Sequence, residues 1–302
     1  MISVSTGDKK ILLIDESSFQ VTKTIEVEER FISMCFSPDG STLLAGGSNF
    51  VYIFDVSSGE LLNKLAHNGY VLSLSFDSSG TRFVSSSSIG LLKVWDITSM
   101  SLLFERNKLG ISIPTVCFSP DDKYILCGTV KGKLFLHDSL TFKELFDIYG
   151  FEINPLEPQS YNKHSISSCS FDSNVTKMLT SSHDYYVRLI DLNTGDVINQ
   201  IKFDNPMNST QFNSDESRIL SGSYNTGTSL CNANDLTLIK TISHEGITKS
   251  VSYSSDENSI IVLTEFSVLF FDSELNEEIG NIRIDEECFC LAVQKSSTGS
   301  YI

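Results

Sequence analysis

Short apolar runs alternate with polar turns along the whole chain. Between residues 71 and 104, turns rich in Ser, Asp and Gly separate four such runs: Val71 to Phe76, Arg82 to Ser86, Leu91 to Trp95 and Ser101 to Phe104. β-Branched and aromatic residues favour strands, whereas Ser, Asp and Gly favour turns. The pattern therefore predicts four short β-strands in this unit.

The same unit returns at a regular spacing. Its first marker is an aromatic residue followed by a polar turn, as in Phe36-Ser37-Pro38-Asp39-Gly40. Later copies begin at Phe76, Phe118, Phe171, Phe212, Tyr253 and, more weakly, Val293. Successive starting positions are 40, 42, 53, 41, 41 and 40 residues apart, so one interval contains an insertion. Self-similarity at such a period indicates a repeat architecture.

A second marker follows about 19 residues after the first. It is a bulky residue followed by Asp or Asn, in the pairs Ile14-Asp15, Phe54-Asp55, Trp95-Asp96, His137-Asp138, Ile190-Asp191, Cys231-Asn232 and Phe271-Asp272. Together with the four strands and the Phe-Ser-Pro-Asp-Gly turn, this repeat resembles that of the WD40 family over essentially the whole chain. The resemblance implies an all-β, seven-bladed β-propeller with four antiparallel strands in each blade.

The resemblance also implies one domain over residues 1–302. We expect blades at about 31–65, 70–106, 111–148, 164–201, 206–242 and 247–282, with the last one formed by 287–302 plus 1–27. Because a half-built sheet would expose unpaired strand edges, we expect the N- and C-terminal strands to pair in that last blade and close the ring.

Composition and charge narrow the class of protein. With 40% hydrophobic and 20% charged residues, the chain has the balance of a folded globular protein. No apolar run approaches the roughly 18 to 20 residues that cross a bilayer, and the N-terminus lacks the layout of a signal peptide. We therefore expect an intracellular protein, cytoplasmic or nuclear, without a membrane partner.

The formal net charge of −16 disfavours direct contact with nucleic acid, since phosphate binding needs clustered Lys and Arg. An acidic surface favours basic protein segments instead. Most cysteines lie in apolar strand-like runs and are interpreted as small buried hydrophobes. Cys288 and Cys290 have no second pair at zinc-ribbon spacing, so we predict no metal and no cofactor.

Some positions match a buried hydrogen-bonded set that the family resemblance implies. His67 and His244 each lie nine residues before an aromatic marker, where the family histidine falls. Trp95 and Asp96 form the one complete Trp-Asp pair, and Asp184 occupies the acidic turn position of its blade. We interpret these five residues as structural, because buried polar groups must be paired. At the same turn position, two other blades carry Ile89 and Glu265.

Binding is expected on one face of the disc. In the implied fold, the loops that enter each inner strand share a face, the top, with the second turn of each blade. The insertion, residues 149–163, is one such loop and contains Tyr149, Phe151 and Tyr161, while the neighbouring second turn adds Tyr185 and Tyr186. Aromatic residues often anchor interfaces. Two roles remain open for this loop: a docking element, or a segment that packs its own aromatic residues over the top.

Acidic residues gather in the same loops. Glu28 and Glu29 precede the first blade, and Glu286 and Glu287 precede the last one. We predict that these four glutamates contribute to a surface for a Lys- or Arg-bearing peptide. Basic residues in the same loops, such as Arg30, argue against a uniformly acidic face.

Two functions remain open. The first is a non-catalytic protein–protein interaction scaffold, a monomeric propeller within a multiprotein complex that binds a protein or peptide on its top face. The second is an enzyme that uses the central channel. The inner-strand segments, such as Phe31 to Phe36 and Ser112 to Phe118, supply Ser, Thr, Met and Cys but neither carboxylate nor His. No metalloprotease, P-loop, hydrolase or kinase motif is present, so we predict that no residue is catalytic.

Overall fold

The computed structural model of the chain describes residues 1–107, 110–149, 164–225 and 227–294. These residues form 28 strands, arranged as seven sheets of four, and contain no helix. Within this part of the chain, therefore, no helix is available to cross a bilayer. The predicted all-β class, with seven blades of four strands, is confirmed.

The strands follow the repeat in chain order, and we number the blades from the first complete one. Blades 1 to 4 contain β4 (Ser33–Phe36), β5 (Thr42–Gly46), β6 (Phe50–Asp55) and β7 (Leu61–Ala66); β8 (Val71–Phe76), β9 (Arg82–Ser87), β10 (Leu91–Asp96) and β11 (Ser101–Asn107); β12 (Thr115–Phe118), β13 (Tyr124–Gly128), β14 (Lys133–Asp138) and β15 (Glu144–Tyr149); and β16 (Ile166–Phe171), β17 (Lys177–Ser182), β18 (Tyr186–Asp191) and β19 (Val197–Lys202).

The other three blades include the one that joins the chain ends. Blades 5 to 7 contain β20 (Met207–Phe212), β21 (Arg218–Ser223), β22 (Gly227–Asn232) and β23 (Leu238–Ile242); β24 (Ser250–Tyr253), β25 (Ser259–Leu263), β26 (Ser267–Asp272) and β27 (Glu278–Arg283); and β28 (Cys288–Val293), β1 (Ile2–Thr6), β2 (Lys10–Asp15) and β3 (Gln20–Glu26). The division of 1–302 into one domain with the limits given above stays a prediction.

The ring closes in blade 7. There β28 pairs antiparallel with β1, with Ile2 opposite Val293 and Ser5 opposite Cys290. The first strand of each blade contacts the first strand of the next, and β28 in turn contacts β4. The predicted closure by the two terminal strands is confirmed.

The hydrophobic core lies between neighbouring blades. Between blades 2 and 3, for example, Val84 and Val94 pack with Val116 and Ile125, and all four side chains are buried. Because each strand of a blade has one face toward each neighbouring blade, both faces must be apolar. This explains why the second and third strands of the blades read as nearly continuous apolar runs.

Hydroxyl groups of the inner strands link the blades near the channel. Ser33 Oγ donates to the carbonyl of Val71 at 2.8 Å, and Ser73 Oγ accepts from Val116 N at 3.1 Å. In the same way Ser168 Oγ donates to the carbonyl of Thr210 at 3.3 Å. Small hydroxyl residues therefore recur in these strands because they satisfy backbone groups of the next blade.

Candidate interaction surface

The loops that enter the inner strands lie beside the second turns, as expected for one face. Ser88 N donates to Tyr70 O and Tyr224 N to Pro206 O, each at 2.9 Å, and each bond joins a second turn to an entering loop. We call this face the top. Its described segments are the entering loops 27–32, 67–70, 110–114, 164–165, 203–206, 243–249 and 284–287 and the second turns 7–9, 47–49, 88–90, 129–132, 183–185, 224–225 and 264–266.

The structure brings the two predicted pairs of glutamates to the two sides of one turn. Gly7 N donates to the carbonyl of Glu287 at 2.8 Å, and Val27 N donates to the carbonyl of Lys9 at 3.0 Å. Turn 7–9 therefore lies between loop 284–287 and the loop that carries Glu28 and Glu29. We call this part of the top, residues 7–9, 27–30 and 284–287, the blade-7 acidic region.

The four carboxylates of this region differ in availability. Both carboxylate oxygens of Glu29 accept hydrogen bonds, one from Tyr52 Oη at 2.6 Å and the other from Ser48 N at 2.8 Å. Burial opposes its ionisation, but the hydrogen bonds from Ser48 and Tyr52 prevail and lower the pKa of Glu29. Glu28, by contrast, has a side chain that is 71% exposed, although it pairs with Lys64. Glu29 therefore holds turn 47–49 in place, while Glu28 faces solvent.

The other pair of glutamates lies beside an exposed aromatic residue. Glu286 is exposed, and Glu287 is partly exposed with an ion pair of 3.2 Å to Lys249. Ile284 N donates to the carbonyl of Phe266 at 2.8 Å, which fixes loop 284–287 next to the second turn of blade 6. Phe266 is 52% exposed. Carboxylates and an aromatic ring are thus available together on this side.

Basic residues lie close to the same region. Arg30 Nε donates to the carbonyl of Gly7 at 3.0 Å, and its guanidinium carbon is 5.7 Å from the ring centre of Phe289, a residue of inner strand β28. Positive charge therefore lies between the acidic loops and the channel. Arg30 therefore makes this part of the top less acidic, as its position in the sequence indicated.

The predicted aromatic patch around the insertion is only partly described. Phe151 and Tyr161 lie outside the described residues, and Tyr149 ends β15 opposite Lys133. Tyr185, the last residue of the second turn of blade 4, and Tyr186, the first residue of β18, are both half-buried. The Tyr186 ring is covered by a guanidinium group, because the central carbon of Arg188 lies 4.4 Å from the ring centre. A docking role for these five residues stays a prediction.

In blade 2, Trp95 and His67 have hydrogen-bond partners outside the set of five residues interpreted as structural, and His67 Nε2 has no partner among the described residues. Trp95 Nε1 donates to Ser85 Oγ at 2.8 Å, within a buried environment. His67 is fully buried, and its Nδ1 lies 3.4 Å from the carbonyl of Asn68. Burial disfavours the charged imidazolium and lowers the pKa of His67 to about 4. Asp96 accepts from the Ser99 backbone and hydroxyl, each at 2.7 Å, and so caps the turn after its strand.

The remaining two structural residues have partners that the sequence did not single out. His244 Nε2 lies 3.1 Å from Thr228 Oγ1 and 3.3 Å from Thr248 Oγ1, and burial lowers its pKa. Asp184 pairs with Arg188 at 2.8 Å, and both side chains are less than 10% exposed. Asp184 therefore belongs to a buried ion pair in blade 4. The spacing of four residues from Asp184 to Arg188 was the available signal.

Sequence reasoning also missed an exposed apolar pair on blade 2. Tyr70 is 58% exposed and Ile89 is 43% exposed. They lie in adjacent segments, because Tyr70 N donates to Ser88 Oγ at 3.2 Å. Ile89 stands where the family turn carries Asp, so the signal was in the sequence as a departure from the repeat. Loss of that acidic residue leaves an apolar side chain on the surface.

The inner strands, all of which are described, contain no Asp, Glu or His. Among the described residues, no group of three or more His, Cys, Asp or Glu side chains is arranged to hold a metal ion. The polar side chains that these strands carry are hydroxyls, amides and thiols.

Comparison with known proteins agrees with the repeat. The family model "WD domain, G-beta repeat" matches residues 20–55, 59–96 and 157–191. The first segment covers the outer strand of blade 7 and the first three strands of blade 1, the second covers the outer strand of blade 1 and the first three strands of blade 2, and the third includes the first three strands of blade 4.

Similar proteins come from several eukaryotes. The chain is 28% identical over 60% of its length to "Periodic tryptophan protein 2 homolog" of Schizosaccharomyces pombe, and the match spans 23% of that protein. It is 22% identical over 69% of its length to "THO complex subunit 3" of Arabidopsis thaliana, of which 63% is matched. It is 28% identical over 64% of its length to "COMPASS component SWD3" of Saccharomyces cerevisiae, of which 62% is matched. The chain thus spans less than two thirds of each of these relatives.

Proposed function

Because this chain is a WD40-repeat β-propeller of seven blades, we propose that it is a non-catalytic interaction scaffold, one subunit of a multiprotein complex that binds a protein or peptide on its top face. The relatives support this proposal, since two of their names describe a complex subunit and a component. An intracellular location, cytoplasmic or nuclear, and the absence of direct nucleic-acid or membrane contact belong to the same proposal, as does a monomeric propeller.

One observation supports the blade-7 acidic region as the binding surface. The blade-7 acidic region combines the exposed carboxylates of Glu28 and Glu286 with the partly exposed Glu287, and Phe266 lies beside the last two. A partner segment with Lys or Arg next to an apolar residue complements this arrangement in charge and in apolar contact. We therefore propose such a segment as the ligand of the top face.

The alternative, an enzyme that uses the channel, has less support. General acid–base catalysis requires a titratable group at the reacting centre. The inner strands carry no Asp, Glu or His, and burial raises the pKa values of inner-strand Cys35 and Tyr253. We propose that the protein catalyses no reaction.

A charge-reversal variant tests the proposal. In the full chain, Glu28→Lys, Glu286→Lys and Glu287→Lys are combined, while Glu29 is retained because its carboxylate is bonded within the fold. We expect partner recovery from native extract to fall, with affinity for the purified partner reduced on the order of tenfold at low salt and a flatter salt dependence.

The matched control reverses three exposed acids on the opposite face, Glu60→Lys, Asp196→Lys and Glu274→Lys, and changes net charge equally. The control is expected to bind normally once thermal melting shows that both variants fold. Equal loss in the two variants, or full binding by the first, would contradict the proposed surface.

A further inference from the structure

A row of apolar side chains lies on the top above blades 2 and 3. Tyr70 and Ile89 are exposed, and Ile111 and Val130 are partly exposed. We call these four residues the Tyr70 strip. Contiguous apolar surface on a globular protein often marks a site of interaction with another molecule. The strip therefore has a use beyond the stability of the propeller.

The blade-2 half of the strip is held together by direct contacts. Tyr70 N donates to Ser88 Oγ at 3.2 Å, and Ser88 N donates to the carbonyl of Tyr70 at 2.9 Å. A Cβ atom on Gly69 would lie only 3.0 Å from Cγ1 of Ile89, so the isoleucine side chain packs against this glycine. Because Gly69 directly precedes Tyr70 in the chain, the two exposed side chains are neighbours on the top.

The strip continues across the boundary between blades 2 and 3. A Cβ atom on Gly90 would lie 2.7 Å from the carbonyl oxygen of Ile111, so the backbones of these two segments are in contact. On the other side of the same loop, Val130 N donates to the carbonyl of Ser112 at 3.1 Å. Ile111 thus lies between the turn that carries Ile89 and the turn that carries Val130, and the row is continuous.

The segments that carry the strip contain no carboxylate. These segments, all of them described, are 67–70, 88–90, 110–114 and 129–132, and their one Lys or Arg is the exposed Lys131. The entering loops and second turns of blades 6 and 7 carry six acidic residues: Asp8, Glu245, Glu265, Asp285, Glu286 and Glu287. In a chain with a formal net charge of −16, the Tyr70 strip is therefore a place on the top that does not repel an acidic segment.

The same change of character is visible at one position of the repeat. The residue six places before the second marker lies in the second turn of each blade. It is Glu265 in blade 6 and Asp8 in blade 7, but Ile89 in blade 2 and Lys131 in blade 3. Equivalent positions on one face thus present acids on one side of the ring and an apolar and a basic residue on another.

We propose that the Tyr70 strip is a second docking surface, which binds a protein segment that carries an apolar residue close to an Asp or Glu. The apolar residue packs against Tyr70 and Ile89, and the carboxylate lies near Lys131. Charge complementarity selects this occupant, since a basic segment finds carboxylates in the blade-7 acidic region and none in the strip. Exposed tyrosines are also among the residues that most often anchor interfaces.

This site shares one premise with the proposed function, namely that the ligand is a protein segment, and it does not depend on the blade-7 acidic region. With both surfaces, the propeller can hold one basic and one acidic segment at separate places on the same face. A scaffold that joins two partners requires such a separation.

A random peptide library displayed on phage tests the proposal with the full chain as the target. Peptides that also bind Ile89→Asp are removed, so that the remaining peptides require the apolar strip. We expect the enriched peptides to share an aromatic or aliphatic residue within two positions of an Asp or Glu. Fluorescence polarisation of synthetic copies then measures affinity. We expect Ile89→Asp to weaken binding at least about tenfold and Lys131→Glu to weaken it about threefold.

Two controls separate the strip from other surfaces. Ile279→Asp makes the same change on the rim, where Ile279 is 41% exposed and Ile89 is 43% exposed. The blade-7 variant Glu28→Lys, Glu286→Lys and Glu287→Lys leaves the strip intact. Both are expected to bind the peptides as the intact protein does, once thermal melting shows that every variant folds. If Ile89→Asp does not fold, Tyr70→Ser tests the same contact from the neighbouring segment.

Three results would overturn the proposal. Enriched peptides without the acidic and apolar pair, or no enriched peptides, would mean that the strip does not select such a segment. Equal binding by Ile89→Asp would place the peptides on another surface. Binding that requires replacement of residues 150–163 by a Gly/Ser linker would mean that the insertion occupies the strip. The test of the blade-7 acidic region uses other residues and another readout, so either proposal can fail without the other.

Discussion

Single residues on the bottom face are matched to residues of the next blade. Glu257 has a φ of 57°, in the left-handed region, and its carboxylate accepts from Ser214 N at 2.8 Å across the blade boundary. Likewise, the carboxylate of Asp122 accepts a hydrogen bond from Ser78 N at 2.7 Å. In two blades a proline stands where Ser214 and Ser78 stand in theirs, and proline has no N–H to donate. In the blade that follows each of them, the residue with a left-handed φ is not acidic. The pairs Pro38 with Gly80 and Pro120 with Val175 show this.

The carboxylate bond between blades 5 and 6 can be tested by substitution. We expect Glu257→Ala to lower the free energy of unfolding by about 1 kcal/mol, the usual net contribution of such a hydrogen bond. Urea unfolding measures the change, with Glu274→Ala as a control at an exposed glutamate of the same blade. If the two variants lost the same stability, the inter-blade bond would contribute nothing.

The buried histidine of blade 2 predicts a pH dependence. The pKa of His67 is lowered to about 4, whereas an unfolded chain has the ordinary value of 6.5, so the unfolded state binds more protons between these values. Stability is therefore complete at neutral pH and falls as the pH drops from about 6.5 toward 4. The titration of His67 alone is expected to lower the free energy of unfolding by about 2 kcal/mol between pH 7 and pH 5.

Denaturant unfolding at several pH values checks this expectation. His67→Gln is expected to flatten the dependence between pH 7 and pH 5, whatever its effect on stability at pH 7. An unchanged slope would show that His67 titrates normally in the folded protein.

At the scale of elements, the strand pair formed by the third and fourth strands carries the same irregularity in every blade of the described chain. The register shifts beside the second marker, for example between Val94 and Trp95 and between Ile53 and Phe54. A bulge increases the local twist and places two residues of the outer, fourth strand opposite one residue of the third strand. As a result, adjacent aliphatic residues such as Leu61 and Leu62 are exposed at the rim. Bulges make these outer edges poor templates for pairing with another chain.

The turns after the third strands are another shared element. In blade 1, Asp55 accepts from the Ser58 backbone at 2.7 Å and from the Ser57 hydroxyl at 2.7 Å. These bonds favour the carboxylate and lower the pKa of Asp55 to about 2, while bonds from Ser17 and Ser18 have the same effect on Asp15 in blade 7. Blade 5 shows that charge is not essential for the cap, since the Asn232 amide oxygen accepts from Asn234 N at 2.8 Å.

Acid titration tests these turns. The pKa of Asp55 in the folded protein lies below the unfolded value of 3.8. The contribution of Asp55 to the free energy of unfolding is therefore present above about pH 4 and is lost as the pH falls toward 2. NMR titration is expected to give a carboxyl pKa of about 2, and Ser57→Ala combined with Ser58→Ala is expected to raise it. A normal pKa in the intact protein would contradict the cap.

At the scale of the whole molecule, stability depends on closure of the ring. All residues of β1 are buried, between β28 and β2, so removal of residues 1–6 exposes two strand edges at once. The lost burial of Ile2 and Val4 alone is about 3 to 6 kcal/mol, a large part of the stability of an ordinary domain.

We therefore expect the truncated chain to lose its cooperative thermal transition. A circular permutant provides the control. Residue 294 is joined to Met1 through a short linker, which their 2.8 Å backbone hydrogen bond permits, and new ends are placed within 151–163. The permutant keeps β1 and is expected to melt near the temperature of the intact protein. Equal behaviour of the two forms would show that closure does not determine stability.

The sequence by itself determined the repeat and the number of its copies, because strand runs, turn residues and marker spacing are properties of short segments and of their recurrence. The ring of blades and the pairing of the two ends were implied by the resemblance to the WD40 family. The Asp or Asn after each third strand was visible as the second marker, but its role was not: Asp96 was interpreted as part of a buried set, whereas it caps its turn through Ser99.

Tertiary structure alone decided which polar groups are available. Glu28 and Glu29 are neighbours in the chain, yet only Glu29 reaches Tyr52 and becomes bonded within the fold. The partner of Ser255 is Glu16, 239 residues away. Such contacts depend on how blades pack around the ring, and since neighbouring blades place residues together regardless of their separation in sequence, no local pattern encodes them.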